Sequence, residues 1–174
     1  MKLLKVTILL SVLVMCNLHA AAEVTQRDMQ VTARALGFLT KPFTGDTLMG
    51  ILYDPQNARS LKEAEEIQTM LGSGLQSGGL TLRAQLVPLD QLGSASVDLF
   101  FLTGYLGDSA DLLRASLATR KIPCVSTDIE QVRSGRCVMG IVSAPRVEIL
   151  VNRKAAEETG TSFASMFRMM ILEI

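Results

Sequence analysis

Hydrophobic positions along this chain change period several times, and each change marks an element. In residues 25–39, Met29, Ala33, Leu36 and Leu39 recur at three- and four-residue steps, so a helix is predicted there. Residues 48–53 are a short apolar run ended by Asp54-Pro55-Gln56-Asn57, which reads as a buried strand. Ser60 followed by Glu63 has capping-box spacing and is expected to open a helix to about Leu71. Its core face would be Leu61, Ala64, Ile67, Met70 and Leu71. Gly72, Gly74, Gly78 and Gly79 then read as a flexible connection. Leu80, Leu82, Ala84 and Leu86 alternate as in a half-buried strand, closed by Pro88.

The second half continues the alternation. Residues 97–102 form a continuous apolar run after Asp98, the mark of a central strand. A helix is expected through Thr119, capped by Asp108 or Ser109. Residues 122–126 read as a strand, and residues 129–132 as one helical turn. Residues 137–142 and 147–151 read as two strands joined by a link short enough for an antiparallel hairpin. Asn152 is expected to cap a final helical segment, interrupted near Gly160 and resumed over residues 162–172. Strands alternating with helices predict a single three-layer α/β domain. Its sheet would be mostly parallel, with helices on both faces and the C-terminal antiparallel hairpin at the sheet edge.

The first 22 residues stand apart. Lys2 and Lys5 precede an apolar run of about 13 residues, and Ala20-Ala21-Ala22 has the small-x-small form of a processing site. This pattern predicts a cleaved secretory signal over residues 1–22 and a mature domain over residues 23–174. The apolar run falls short of the ~20 residues of a bilayer crossing. The mature protein is thus expected in the periplasm of a double-membraned cell.

Removing that segment changes the composition. The chain is neutral, with 17 basic and 17 acidic side chains and one histidine. Without Lys2, Lys5 and His19, the basic count falls to 15 and no histidine is left. A Ser-His-Asp or Cys-His nucleophile and a histidine metal site are thereby excluded from the mature domain. A basic nucleic-acid footprint is missing as well. No cofactor motif is present. Binding or regulation is therefore favoured over hydrolysis.

Two cysteines remain after processing, Cys124 and Cys137. An even count in an exported chain favours a disulfide, provided their two apolar runs are neighbouring strands. The alternative is a pair of buried thiols.

In open α/β sheets, ligands lie beyond the carboxyl ends of the strands. Three loops are expected there: Asp54, Asn57 and Ser60 after the first strand; Thr103, Gly104 and Tyr105 after the third; Ser126, Thr127 and Asp128 after the fourth. A small-molecule site is one reading, and ordinary turn and cap chemistry is the other. Asp54 and Asp128 would be the acid/base pair of an enzyme, if they met. At the carboxyl terminus Met166, Phe167, Met169 and Met170 crowd around Arg168. They read either as core or as an adaptable partner surface.

Two stretches carry a resemblance. One is LMGILYDPQNARS at residues 48–60, with the later FFLTG. The other is residues 121–174, where a strand, S-x-D, a second strand and R-x-E-I-x-V-N-x-x-A-A-x-x-x-G follow in order. This order resembles the YfiR-like periplasmic family. The resemblance implies a non-enzymatic repressor that restrains a membrane-bound diguanylate cyclase, or another inner-membrane sensor, and so influences biofilm formation. It also implies a homodimer and a disulfide-held active form, with Cys124 and Cys137 offering one bridge. Residues 48–60 also resemble the start of one lobe of an ABC-type periplasmic binding protein. That likeness implies a transporter's solute-binding component, although the chain is about half the length of a two-lobed protein.

Overall fold

The computed structural model describes residues 23–107 and 110–174, so the expected signal segment and the expected Asp108 or Ser109 cap lie outside the described residues. Thr25 opens α1 (Gln26–Leu36) through a reciprocal capping box: its hydroxyl accepts from the Asp28 N–H, and the Asp28 carboxylate accepts from the Thr25 N–H. The other Asp28 oxygen accepts from the Ser143 N–H, tying α1 to the far end of the sheet. The chain then runs through β1 (Gly45–Tyr53), α2 (Ala58–Leu71), β2 (Leu75–Ser77), β3 (Leu80–Pro88) and β4 (Leu99–Leu102). It continues through α3 (Ala110–Arg120), β5 (Cys124–Ser126), α4 (Ile129–Arg133), β6 (Met139–Val142) and β7 (Glu148–Val151). It ends with α5 (Arg153–Thr159), α6 (Ser165–Arg168) and β8 (Leu172–Glu173).

The eight strands form one sheet in the order β2-β3-β1-β4-β5-β6-β7-β8. Strands β3, β1, β4, β5 and β6 are parallel, and β7 is antiparallel to β6, as the short link predicted. Right-handed crossovers place α2 on one face and α3 and α4 on the other. α1 packs beside α2, and α5 beside α3. The mostly parallel α/β domain is therefore as expected. Its core is continuous, with Met49, Ile51 and Leu52 of β1 and Phe100, Phe101 and Leu102 of β4 fully buried.

Gly50 shows how tightly these two strands fit. It pairs with Phe100, whose ring covers it: a Cβ at Gly50 would lie 2.9 Å from Phe100 Cε1 and 3.1 Å from Val97 Cγ1. Only glycine leaves room for that ring in a close-packed interior.

Four expectations need correction. Residues 72–79 are no loose connection: β2 lies within them and pairs antiparallel with β3 through a turn at Gly78-Gly79. Those glycines form a tight hairpin, which diglycine favours. Helix α2 is capped by Asn57, whose side chain accepts from the Arg59 N–H, and Ser60 lies in its first turn. The carboxyl end is not one resumed helix, because after α6 the chain turns into β8. Finally, β8 pairs parallel with β7, so the hairpin lies one strand in from the edge.

Cys124 and Cys137 are bridged, with Cα atoms 5.3 Å apart. Both are buried. The bridge ties the start of β5 to the residues entering β6. Those strands share just the pairs Val125↔Met139 and Ser126↔Gly140.

Candidate functional site

Strand order reverses around β1. The α2 crossover leads to β3 on one side, and the chain then returns past β1 to add β4 on the other. The crevice beyond the carboxyl ends of β1 and β4 is thus the topological switch point, where doubly wound sheets bind ligands. The expected loops do gather there, and their polar groups are largely engaged with one another.

The links form a chain. The Asp54 N–H donates to Ser60 Oγ at 2.9 Å, and Ser60 Oγ lies 2.7 Å from Thr103 Oγ1. Thr103 Oγ1 donates to the Leu52 carbonyl at 3.0 Å. Thr103 has one proton and gives it to Leu52, so Ser60 is the donor between the two hydroxyls. Such chains polarise one another in a dry interior, and Ser60 and Thr103 are both fully buried. The Thr103 carbonyl accepts from Gln131 Nε2 at 2.7 Å, which brings in α4. Ser126 Oγ donates to the Leu102 carbonyl and accepts from the Asp128 N–H. Asp128 caps α4 by accepting from the Glu130 N–H, and Asp54 Oδ1 accepts from the Gln56 N–H. Asn57 Nδ2 reaches the Tyr105 carbonyl at 3.4 Å. Thr127 is half-buried in the same loop as Asp128.

Most of the predicted site residues are therefore cap and turn groups that fasten α2 and α4 to the strand ends. Asp54 and Asp128 each serve their own turn. Among the described residues no group of three or more His, Cys, Asp or Glu could hold a metal ion. Replacing Thr103 with Val is expected to cost about 1–2 kcal/mol, because Ser60 loses a buried acceptor and Leu52 a donor. Urea denaturation of both proteins measures it, and equal midpoints would show the hydroxyl chain to be inert.

A cleft of about 230 Å³ opens beside this network, lined by Glu23, Val24, Arg59, Lys62, Glu63, Glu66 and Tyr105. Tyr105 is the one predicted site residue on its wall. Arg59 and Glu63 lie one helical turn apart on α2, so both project from one side. They nevertheless do not pair. The Arg59 guanidinium lies over the Tyr105 ring, 5.8 Å from its centroid. Glu63 turns inward, and its Oε2 accepts from the Gly104 N–H at 2.9 Å. Lys62 is engaged by Glu66 at 3.1 Å.

Glu63 is the group that sequence reasoning missed, having read it as a helix cap. Burial pushes its pKa up to about 7, since ionisation costs solvation there. The Gly104 N–H opposes that rise, while the charges of Asp128 and Glu66 add to it.

The carboxyl-terminal residues divide. Phe167 is buried, stacked on Phe38 with ring centroids 4.9 Å apart and tilted against Phe163 at 5.5 Å. Of the two readings the sequence left open, Phe167 takes the core one and does not belong to a partner surface. Met166, Met169 and Met170 are 71%, 80% and 62% exposed, with Leu172 of β8 at 65%. The outer edge of β8 pairs with no strand among the described residues. No family model matches the chain, and no curated protein matches it.

Proposed function

We propose that this protein is a non-catalytic regulatory protein of the periplasm, which restrains an inner-membrane diguanylate cyclase or similar membrane sensor by direct contact. The observation that carries this reading is the exposed apolar run Met166, Met169, Met170 and Leu172 beside the open edge of β8. Flexible methionines suit a surface that adapts to a partner, and an unpaired edge strand offers backbone groups for augmentation. The resemblance to YfiR-like proteins supplies the partner's class. The stretch that carries it forms β7, the Asn152 cap and α5, which lead into this surface. The Cys124–Cys137 bridge suits an oxidising compartment. No helix among the described residues is long and apolar enough to cross a membrane.

The test is capture from solubilised membranes with the tagged protein, assayed for diguanylate cyclase activity. The wild type is expected to retain a cyclase and lower its activity. The Met169→Glu, Met170→Glu double variant is expected to keep its thermal midpoint and bind at least ~10-fold more weakly. Capture of no membrane cyclase, or equal capture by the variant, overturns the proposal. A second reading, the solute-binding component of an ABC-type transporter, is favoured by the switch-point cleft.

A further inference from the structure

We infer that the cleft between α2 and the loop after β4 binds a small amino carboxylic acid, its ammonium on Glu63 and its carboxylate on Arg59. The inference rests on the cleft alone, so it stands or falls separately from the partner contact proposed above.

The first argument is the arrangement of unsatisfied charge. Among the described residues Arg59 and Glu63 take part in no ion pair, although their i, i+4 spacing on α2 is the one at which such pairs form. One is drawn over Tyr105 and the other toward Gly104. This leaves a cation and a carboxylate oxygen apart on one wall, which a ligand bearing both charges can bridge. Lys62 is occupied by Glu66 and does not compete for the carboxylate.

The second argument is fit. The cleft is smaller than the roughly 300–1,000 Å³ of sites for drug-sized ligands, so it selects a molecule of a few heavy atoms. The buried Val24 side chain and the Tyr105 ring give its stem apolar contact.

The third argument is the protonation state of Glu63. A carboxyl titrating near neutrality is half-protonated when the cleft is empty. An ammonium group favours its ionised form, so binding releases a proton and weakens as pH falls. The charged and titratable groups facing Glu63 are Arg59, Lys62 and Glu66 of its own helix, Asp128 from the loop before α4, Tyr105 from the loop after β4 and Glu23 from the segment before α1, with its α-amino group once residues 1–22 are removed.

Calorimetric titration of the purified protein with glycine, β-alanine and γ-aminobutyrate tests the inference, with butylamine and butyrate as single-charge probes. At least one amino acid is expected to bind below about 1 mM at pH 8, ~10-fold tighter than either single-charge probe. Its affinity should fall about 5-fold or more by pH 5.5, with proton release at pH 7 seen as heat that depends on the buffer. Glu63→Gln and Arg59→Gln should each weaken it about 10-fold or more, and each variant's thermal unfolding shows that it is folded. Absence of binding at about 10 mM, equal binding of a single-charge probe, or indifference to Glu63→Gln overturns the assignment.

Discussion

Replacing Cys124 and Cys137 together by alanine is expected to lower unfolding free energy by about 3 kcal/mol, the chain-entropy value for a loop of this size. The two residues are 13 apart in sequence, and the segment between them holds the end of β5, α4 and the approach to β6. With so few paired residues joining β5 and β6, the covalent tie carries much of the constraint at this point of the sheet. The bridge also holds α4 against the sheet, where Ile129 and Val132 reach to within 3 Å of the place a Cβ would occupy on Gly140. The effect is read from urea midpoints with and without dithiothreitol. Reductant should weaken the wild type to the level of the double variant and leave the variant unchanged. Equal stability of the two proteins without reductant would show that the bridge adds nothing. Its consequence for function follows from position. β6 supports β7, and β7 carries β8 and the methionine surface, so a loosened β5–β6 junction is expected to weaken partner capture as well.

The parts of this fold legible in the sequence are those where burial imposes a period. Leu80, Leu82, Ala84 and Leu86 alternate because β3 lies near one end of the sheet, with β1 on one side and only three residues of β2 on the other. Residues 99–102 are uniformly apolar because β4 is central and its four residues are all buried. Asn152 was readable as a cap because its competitors are absent. At α2 two caps compete, and Asn57 wins because the Ser60 hydroxyl is drawn inward by Asp54 and Thr103. β2 and β8 are three and two residues long, too short to show any period. Tertiary pairing alone makes them strands.

The candidate site divides along similar lines. The fold rule located the right edge of the sheet, and turn chemistry marked Asp54, Asn57, Ser60, Thr103 and Asp128. Those residues stand out in sequence as turn and cap types, and they are already satisfied: Asp54, Asn57 and Asp128 close their own turns or cap their own helices, while Ser60 and Thr103 bond each other across the fold. The cleft wall comes instead from the next turn of α2. There the charges of Arg59, Lys62, Glu63 and Glu66 look like any solvated helical face. What separates Glu63 from its neighbours is the Gly104 N–H, contributed from 41 residues away. Phe167 is legible as core, but not its stacking partner Phe38, which reaches it only in the fold.

Glu63→Gln is expected to stabilise the protein at pH 8 by about 3 kcal/mol, the linkage value for moving a carboxyl from 4.5 to about 7. The sign follows from where the proton is held. Between those two values the native state retains a proton on Glu63 that the unfolded chain has released, so wild-type stability falls as pH rises through this window. The contribution is complete below about 4.5 and gone above about 7. Glutamine keeps an oxygen for the Gly104 N–H and has no charge to desolvate. It therefore lacks this slope, and the two proteins should be equally stable at pH 4. Glu158 and Glu173 work in the opposite sense, since hydrogen bonds from Arg114 and Arg168 hold their carboxyls below the usual range. They stabilise at neutral pH and lose that contribution in acid, in wild type and variant alike. The difference between the two proteins, measured by urea denaturation from pH 4 to pH 8, isolates Glu63. A difference that does not change with pH, or a variant less stable at pH 8, would remove the carboxyl from its buried position. If the slope is present, wild type sacrifices stability at neutral pH to keep an acid where glutamine would fold better. That cost is what a carboxyl retained to meet a ligand's charge predicts.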